Sequence, residues 1–523
     1  MNKRKFTGFL MICILLAWLM MPVRGENNGS TPALFQPQSQ PDGITYAYSQ
    51  SCRTLDPATA RDDASALVIS NIFEGLVKFS KGSRKIEPCL AESWEISEDG
   101  LEWTFYLRRG VKFHDGTSFD AKAVKFSVER QLNDSTEMIY VRFVYGPLKE
   151  IQVIDDYTVK FILKYPYTPF LNNLAMPFAA PVVSPASVKK YGIDSKLHPS
   201  GTGPYKLSSW EKDVIKLSRN NTYWGEQPKS PAITFITIPS EEERINLLKK
   251  GEIHIASHVS PQKAQILKLS GFKSFRVTGL DVSYLGLYVN KPPFSYHAAR
   301  KAVDTALDRV LLVQKTLNGQ GVPAASYLPP SMISKNYMCT TPDKSKAKEL
   351  LASVPFQDKN ITIITYKGTR PYNSAGGDTL AYGVAEQLRA IGIKVNVKSY
   401  DWNQYKKALA RQEGDAFLYG WISDNGDPDN FLYPSFAGAH IDTGLNISHF
   451  QNQELDTLLL DAQRSQKPAV REELYLKSLD ILENEVPWVV LNHSLRITIT
   501  SPSLSGYTPY PTGWDRLNNT WLE

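Results

Sequence analysis

The segment richest in groups able to hold a ligand is Gly420-Trp421-Ile-Ser-Asp424-Asn-Gly-Asp427-Pro-Asp429-Asn-Phe-Leu, a run of carboxylates bounded by aromatics. Asp, Asn, Gly and Pro all favour turns, so its plainest reading is a solvated Asx-rich turn. A calcium loop is a second reading, but the spacing lacks the trailing Glu of an EF-hand. His254-Ile-Ala-Ser-His258 has the i, i+4 spacing with which a helix chelates metal. Its context is strand-like, which holds the two side chains too far apart, and no metal or cofactor is expected. Gly201-Thr-Gly-Pro carries two glycines ahead of a strand-like segment, not a helix N-terminus, so it reads as a tight turn and not a phosphate cradle. The GxSxG, HExxH, GxxxxGK[ST] and CxxC signatures are absent. An exported peptidase, the catalytic alternative, would need a nucleophile or a metal that the sequence does not display.

The surrounding elements read as α/β. Ile44-Thr-Tyr-Ala-Tyr alternates like a strand, and Ala64 to Lys78 places apolar residues at helical spacing. From Leu90 the pattern changes to short strands with turns: Ala91 to Ile96 and Leu101 to Leu107 as one hairpin, a helix from about Ala121 to Gln131, then Ile151-Gln-Val-Ile and Thr158 to Leu163 as a second hairpin. Ile233 to Ile238, helical Ser240 to Lys250 and Glu252-Ile-His-Ile-Ala imply a βαβ unit, with Ser240-Glu-Glu-Glu resembling a capping box. Beyond Leu280 strand and helix alternate for about two hundred residues, which predicts a second α/β lobe. Residues 488–523 read as strand-poor and aromatic, folding back on the first lobe.

At 523 residues the chain exceeds what a single core holds, about 250–300 residues, so several lobes are expected. The N-terminus has the three-part layout of a secretory signal: basic Met1-Asn-Lys-Arg-Lys, apolar Phe9 to Met21, then Pro22-Val-Arg-Gly with small residues for cleavage after Gly25. Export to the periplasm as a soluble chain is expected. Cys13 lacks the small residues that precede a lipoprotein cysteine. Without Lys3, Arg4, Lys5 and Arg24 the formal charge falls from +6 to +2, and nothing calls for a nucleic-acid partner. Cys52, Cys89 and Cys339 remain, with Cys52 to Cys89 as the candidate disulfide. The boundaries that follow are a signal peptide at 1–25, a flexible leader at 26–42, a first lobe at 43–280 with an inserted subdomain at about 80–200, a second lobe at 281–487, and the C-terminal return.

The acidic loop, with Thr369-Arg370-Pro-Tyr372-Asn373 upstream, resembles the dipeptide-binding proteins of the extracellular solute-binding family 5. Leu90-Ala-Glu-Ser-Trp-Glu-Ile-Ser-Glu-Asp-Gly, Leu107-Arg-Arg-Gly-Val-Lys-Phe-His-Asp-Gly, Gly201-Thr-Gly-Pro-Tyr and Tyr284-Leu-Gly-Leu-Tyr-Val-Asn are similar to the family pattern, so the resemblance runs from about residue 44 to the C-terminus. It implies a two-lobed periplasmic-binding-protein clamshell (type II, cluster C) with an extra α+β subdomain in the first lobe. It implies no catalysis, monomeric action, short peptides as ligand and the permease of an ABC importer as partner. By the same resemblance Arg370 takes the ligand carboxylate and Asp424 its free amine, Trp421 and Tyr372 wall the pocket beside Asn373, and Asp427 and Asp429 shape the turn. A zwitterionic dipeptide has its charged ends about 6–7 Å apart at ~3.5 Å per residue, so two fixed opposite charges measure length. Arginine suits a carboxylate because its planar fork binds both oxygens. The cysteines that dipeptide-binding members carry after the acidic loop are missing from Pro434-Ser-Phe-Ala-Gly-Ala-His. Glutathione, haem and nickel complexes are cargo alternatives on the same scaffold.

Overall fold

The computed structural model describes residues 43–132, 144–178, 180–356 and 358–523. The expected signal peptide and leader, with Cys13, lie outside these described residues.

Two sheets share one long strand, Trp488–Thr500, of 13 residues. Its first half pairs antiparallel with Asp281–Leu287, Tyr284 opposite Val490. Its second half pairs with Lys273–Thr278, Arg276 opposite Ile497, and with Ile255–Ala256. The first sheet continues from Ile255–Ala256 through Ile44–Tyr48, Ala232–Thr237, Val214–Arg219 and Tyr205–Glu211. The second continues from Asp281–Leu287 through Ala416–Ile422, Asn360–Tyr366 and Lys394–Tyr400. These sheets are the centres of the two lobes.

The first sheet is organised by a βαβ crossover. Ile44–Tyr48 pairs parallel with both Ala232–Thr237 and Ile255–Ala256, and the helix Glu241–Lys250 connects those two. Ser240 caps that helix by accepting from the Glu243 amide at 3.3 Å. Three glutamates in its first turn and two lysines in its last oppose the macrodipole. In the second lobe period-2 alternation fills a core on each face of the sheet. Tyr284, Ile364, Tyr366, Phe417 and Val490 enter one core, while Leu285, Ile363, Leu418 and Val489 enter the other.

Ala91–Ile96, Glu102–Leu107, Thr158–Leu163 and Leu148–Asp155 form, in that spatial order, a separate four-stranded antiparallel sheet with the helix Ala121–Leu132 against it. Trp103, Phe105, Phe161 and Phe170 fill its buried face and join the first-lobe core, to which Leu504, Tyr507, Tyr510, Trp514 and Leu517 also contribute.

Several sequence expectations are corrected. The helix expected from Ala64 to Lys78 is Asp63–Ile72, after which Phe73 turns extended and Val77–Phe79 forms a strand. The chain must break there because the Gly201-Thr-Gly-Pro turn docks on the helix end. A Cβ at Gly201 would lie 2.3 Å from the Ile72 carbonyl oxygen, and the Gly203 amide donates to that same oxygen at 3.0 Å. The His114 imidazole in turn bonds the Gly203 carbonyl at 2.9 Å. Two of the most recognisable sequence motifs are therefore packing devices that join the inserted sheet to the first lobe. The region 488–523 is not strand-poor, since it opens with Trp488–Thr500, the longest strand among the described residues. The thiols of Cys52, Cys89 and Cys339 are free, so Cys52 and Cys89 do not pair.

The chain passes between the sheets at two adjacent places. The Gly279 amide donates to the Ser494 carbonyl at 2.9 Å, and the Ser494 amide donates to Asp281 Oδ1 at 2.7 Å, while the Ser494 hydroxyl bonds Asp281 Oδ2. Asp281 is fully buried, and that burial pushes its carboxyl above the usual range. A Cβ at Gly279 would lie 2.2 Å from Ser494 Oγ and 2.3 Å from Asp281 Oδ2, so any other residue here must displace this buried hydrogen bond.

Candidate functional site

A cavity of about 440 Å³ opens between the lobes, within the ~300–1,000 Å³ usual for small-ligand sites. Its second-lobe wall carries Arg370 and Tyr372, its first-lobe wall Tyr48, Asp63 and His258, and the crossing strand contributes Leu495 and Arg496. Most of these residues follow the carboxyl ends of parallel strands, where open α/β sheets place their ligands. Arg370 follows Asn360–Tyr366, and His258 follows Ile255–Ala256.

Arg370 is held in place by the protein itself. It forms a two-residue antiparallel bridge with Asn373, amide to carbonyl at 2.9 and 2.8 Å. Its guanidinium stacks over the Trp402 ring, 3.7 Å from the centroid, which fixes the plane of the fork. Its Nε is buried with no hydrogen-bond partner among the described residues. A planar cation, stacked on one face and with a donor unsatisfied, is prepared for a planar anion.

Tyr372 is buried against Gly420, where a Cβ would fall 2.3 Å from its ring, and it meets Tyr366 edge-on at 6.2 Å. Burial pushes its hydroxyl far above the ordinary tyrosine range and that of Tyr366 up to about 12, so both stay neutral. Asn373 is fully buried behind the wall: its amide donates to Tyr366 Oη at 3.1 Å and its carbonyl accepts from the Ala375 amide at 3.2 Å. Trp421 donates to Asn430 Oδ1 at 3.0 Å. The cavity lining includes Arg370 and Tyr372 but not Asn373, Trp421 or Asp424. Asp424 is half-buried in the loop that follows the strand Ala416–Ile422.

The sequence reading missed Trp402, Asp63 and Arg496, and weighed His258 only as a metal ligand. Trp402 directly follows a parallel strand, Lys394–Tyr400, and that position was the available signal. Arg496 donates to the Thr512 carbonyl at 2.6 Å and lies 3.9 Å from Asp63 Oδ2, over Gly513, whose missing side chain makes room for it. Burial lowers His258 to about 4, so it is neutral near pH 7. Among the described residues no group of three or more His, Cys, Asp or Glu side chains could hold a metal ion, and His254 instead accepts from the Thr45 amide at 2.9 Å.

The remaining acids of the loop are structural. Asp427 forms a bidentate pair with Arg471 at 2.8 and 3.0 Å. Burial first, then the Asp427 charge, push Asp429 up to about 7. The unfolded value is about 3.9, so Asp429 stabilises the folded state below about pH 4 and loses that contribution as pH rises through about 7. Relative to Asp429→Asn, the unaltered protein is expected to gain about 2–3 kcal/mol of unfolding free energy between pH 8 and pH 5. Denaturant titrations at both pH values check this, and the difference between the two proteins cancels the other titrating groups.

The sequence pattern of a family described as bacterial extracellular solute-binding proteins, family 5 Middle, matches residues 85–443. The glutathione-binding protein GsiB of Salmonella paratyphi A is 30% identical over 478 residues, 90% of this chain and 92% of that protein. HbpA2 from Haemophilus parasuis has TM-score 0.85 and 28% identity, covering 92% of this chain and 99% of its own. The periplasmic binding protein DppA from Helicobacter pylori, solved with the peptide STSA, has TM-score 0.74 and 30% identity over 92% and 98% of the two chains.

Proposed function

From the premise that the chain belongs to the bacterial extracellular solute-binding proteins of family 5, we propose that it captures dipeptides or short oligopeptides between its lobes and hands them to the permease of an ABC importer. It is a binding component and not an enzyme. In this reading Arg370 and Tyr372, at the cavity, hold the peptide carboxylate and wall the ligand, while Asp424 takes the free amine, Trp421 completes the wall and Asn373 braces the turn that presents Arg370, these three standing outside the present lining. The observation that carries this reading is the preset guanidinium of Arg370, stacked on Trp402 with an unsatisfied donor at the inter-lobe cavity. No helix among the described residues is long and apolar enough to cross a membrane. We place the mature chain in the periplasm after cleavage of residues 1–25, acting as a monomer.

Glutathione is the second reading, because it bears both charges and GsiB is named for it. Thermal-shift titration of the refolded protein with a dipeptide panel and with glutathione separates the two. The proposal expects saturable stabilisation by dipeptides that Asp424→Asn abolishes. Stabilisation by glutathione alone would assign the site to that cargo.

A further inference from the structure

The acidic loop reaches past its own lobe. Inside it, the Asn425 carboxamide oxygen accepts from the Ser423 hydroxyl at 3.1 Å and the Asp427 amide at 2.9 Å, and the Gly426 amide donates to Ser423 Oγ at 3.0 Å. The loop is thus a rigid knot, anchored in its own lobe by Asp427 and Arg471. The remaining valences of the knot are taken by the other lobe. Asn425 Nδ2 donates to Asn173 Oδ1 at 2.7 Å, both residues buried, and Asn172 Nδ2 donates to the Asn425 carbonyl at 3.1 Å. Arg84 Nη1 donates to the Gly426 carbonyl at 2.5 Å, and its Nε donates to the Ser331 carbonyl at 2.8 Å. Tyr167 adds a longer contact, 3.4 Å, to Asp429 Oδ2.

Arg84 belongs to the turn between Val77–Phe79 and Ile86–Pro88, and Asn172 and Asn173 to the short helix beginning at Phe170. Both segments pack on the first-lobe core, whereas Ser331 and the loop belong to the second lobe. The bonds therefore exist only when the lobes are together. Buried amides cannot be left without partners, so opening must expose Asn173 and Asn425 to water. The residue that precedes Asn425 in the chain is Asp424.

We propose that this loop is the closure latch of the clamshell, in which Arg84, Asn172 and Asn173 grip Asn425 and Gly426 and thereby fix the loop backbone next to Asp424. The inference rests on the reading of Asp424 as the amine partner. Closing of the lobes and capture of a free amino terminus are then one event, and residues that never touch the peptide set the preference for an unblocked N-terminus. Arg84 and Asn173 are positioning residues.

The test compares Arg84→Ala, Arg84→Lys and Asn173→Ala with the unaltered protein, by small-angle scattering and by the affinity for one dipeptide and its N-acetylated form. Arg84→Ala is expected to enlarge the radius of gyration, to speed dipeptide release about 10-fold or more, and to lower the preference for the free amine about 10-fold. Arg84→Lys, which still reaches the Gly426 carbonyl, is expected to restore most of that preference. Equal weakening of both ligands, or an unchanged radius and release rate, overturns the latch. Should the unaltered protein bind neither ligand, the peptide reading fails, and the latch is judged on scattering alone: expansion of the alanine variants supports it and an unchanged curve overturns it. Arg84 is partly exposed, so its variants remain informative if Asn173→Ala does not fold.

Discussion

Replacing Arg370 by alanine is expected to weaken dipeptide binding by about 2–5 kcal/mol, roughly 30-fold to several thousand-fold. The magnitude follows from what the substitution leaves behind: a ligand carboxylate taken out of water with no cation facing it. It also follows from preorganisation, since Arg370 is already stacked on Trp402 and tied to Asn373, and little freedom is lost on binding. Arg370→Lys keeps the charge but loses both the fork and the stacking, and recovers only part of the affinity. Calorimetric titration of the three proteins with one dipeptide measures the difference. A loss below threefold for Arg370→Ala would remove this residue from the site.

Asp427→Ala is expected to lower the unfolding free energy by about 3–5 kcal/mol. Arg471 has a side chain only 14% exposed and Asp427 one only 3% exposed, so the variant buries a guanidinium without its carboxylate. Tyr475 Oη at 3.0 Å and the Ala462 carbonyl at 2.8 Å remain as neutral acceptors and do not replace the charge. Removing both partners, as in Asp427→Ala with Arg471→Met, is expected to recover a large part of the loss, because the uncompensated ion is then gone. Denaturant unfolding of the single and double variants checks this, and equal stability of the two would contradict it.

Much of the second lobe was legible because its strands are buried on both faces. Ile361-Thr-Ile-Ile-Thr-Tyr forms part of the observed strand Asn360–Tyr366 and feeds both cores. Trp488–Thr500 escaped notice for a physical reason. It is apolar at its ends and polar at Asn492-His-Ser, where it passes from one sheet to the other, and the Pro and Gly residues after 500 dominate the character of the segment. A strand shared by two lobes has no single core to set its pattern.

The candidate site was legible where one segment carries residues that meet at the cavity. Arg370, Tyr372 and Asn373 lie within four consecutive residues, and the structure puts the first two at the cavity. Asp63 and Arg496 come from two distant segments that only the tertiary fold brings to the cavity wall, and Trp402 reaches the site only through its ring under the Arg370 guanidinium. The acidic loop shows the converse. Its density of carboxylates reads as a binding signature, yet Asp427 serves Arg471, Asp429 sits buried beside Tyr167, and Asn425, which bonds Asn173 of the other lobe, carries no charge.

Whether the protein clamps both ends of a peptide is settled by calorimetric titration of the mature protein, unfolded and refolded to strip carried-over cargo, with one dipeptide and with the same dipeptide N-acetylated or C-amidated. Tight binding of the free dipeptide is expected, with a loss of at least about two orders of magnitude when either end is blocked, about 2.7 kcal/mol or more. Equal affinity for free and blocked forms would contradict a clamp that holds both charges.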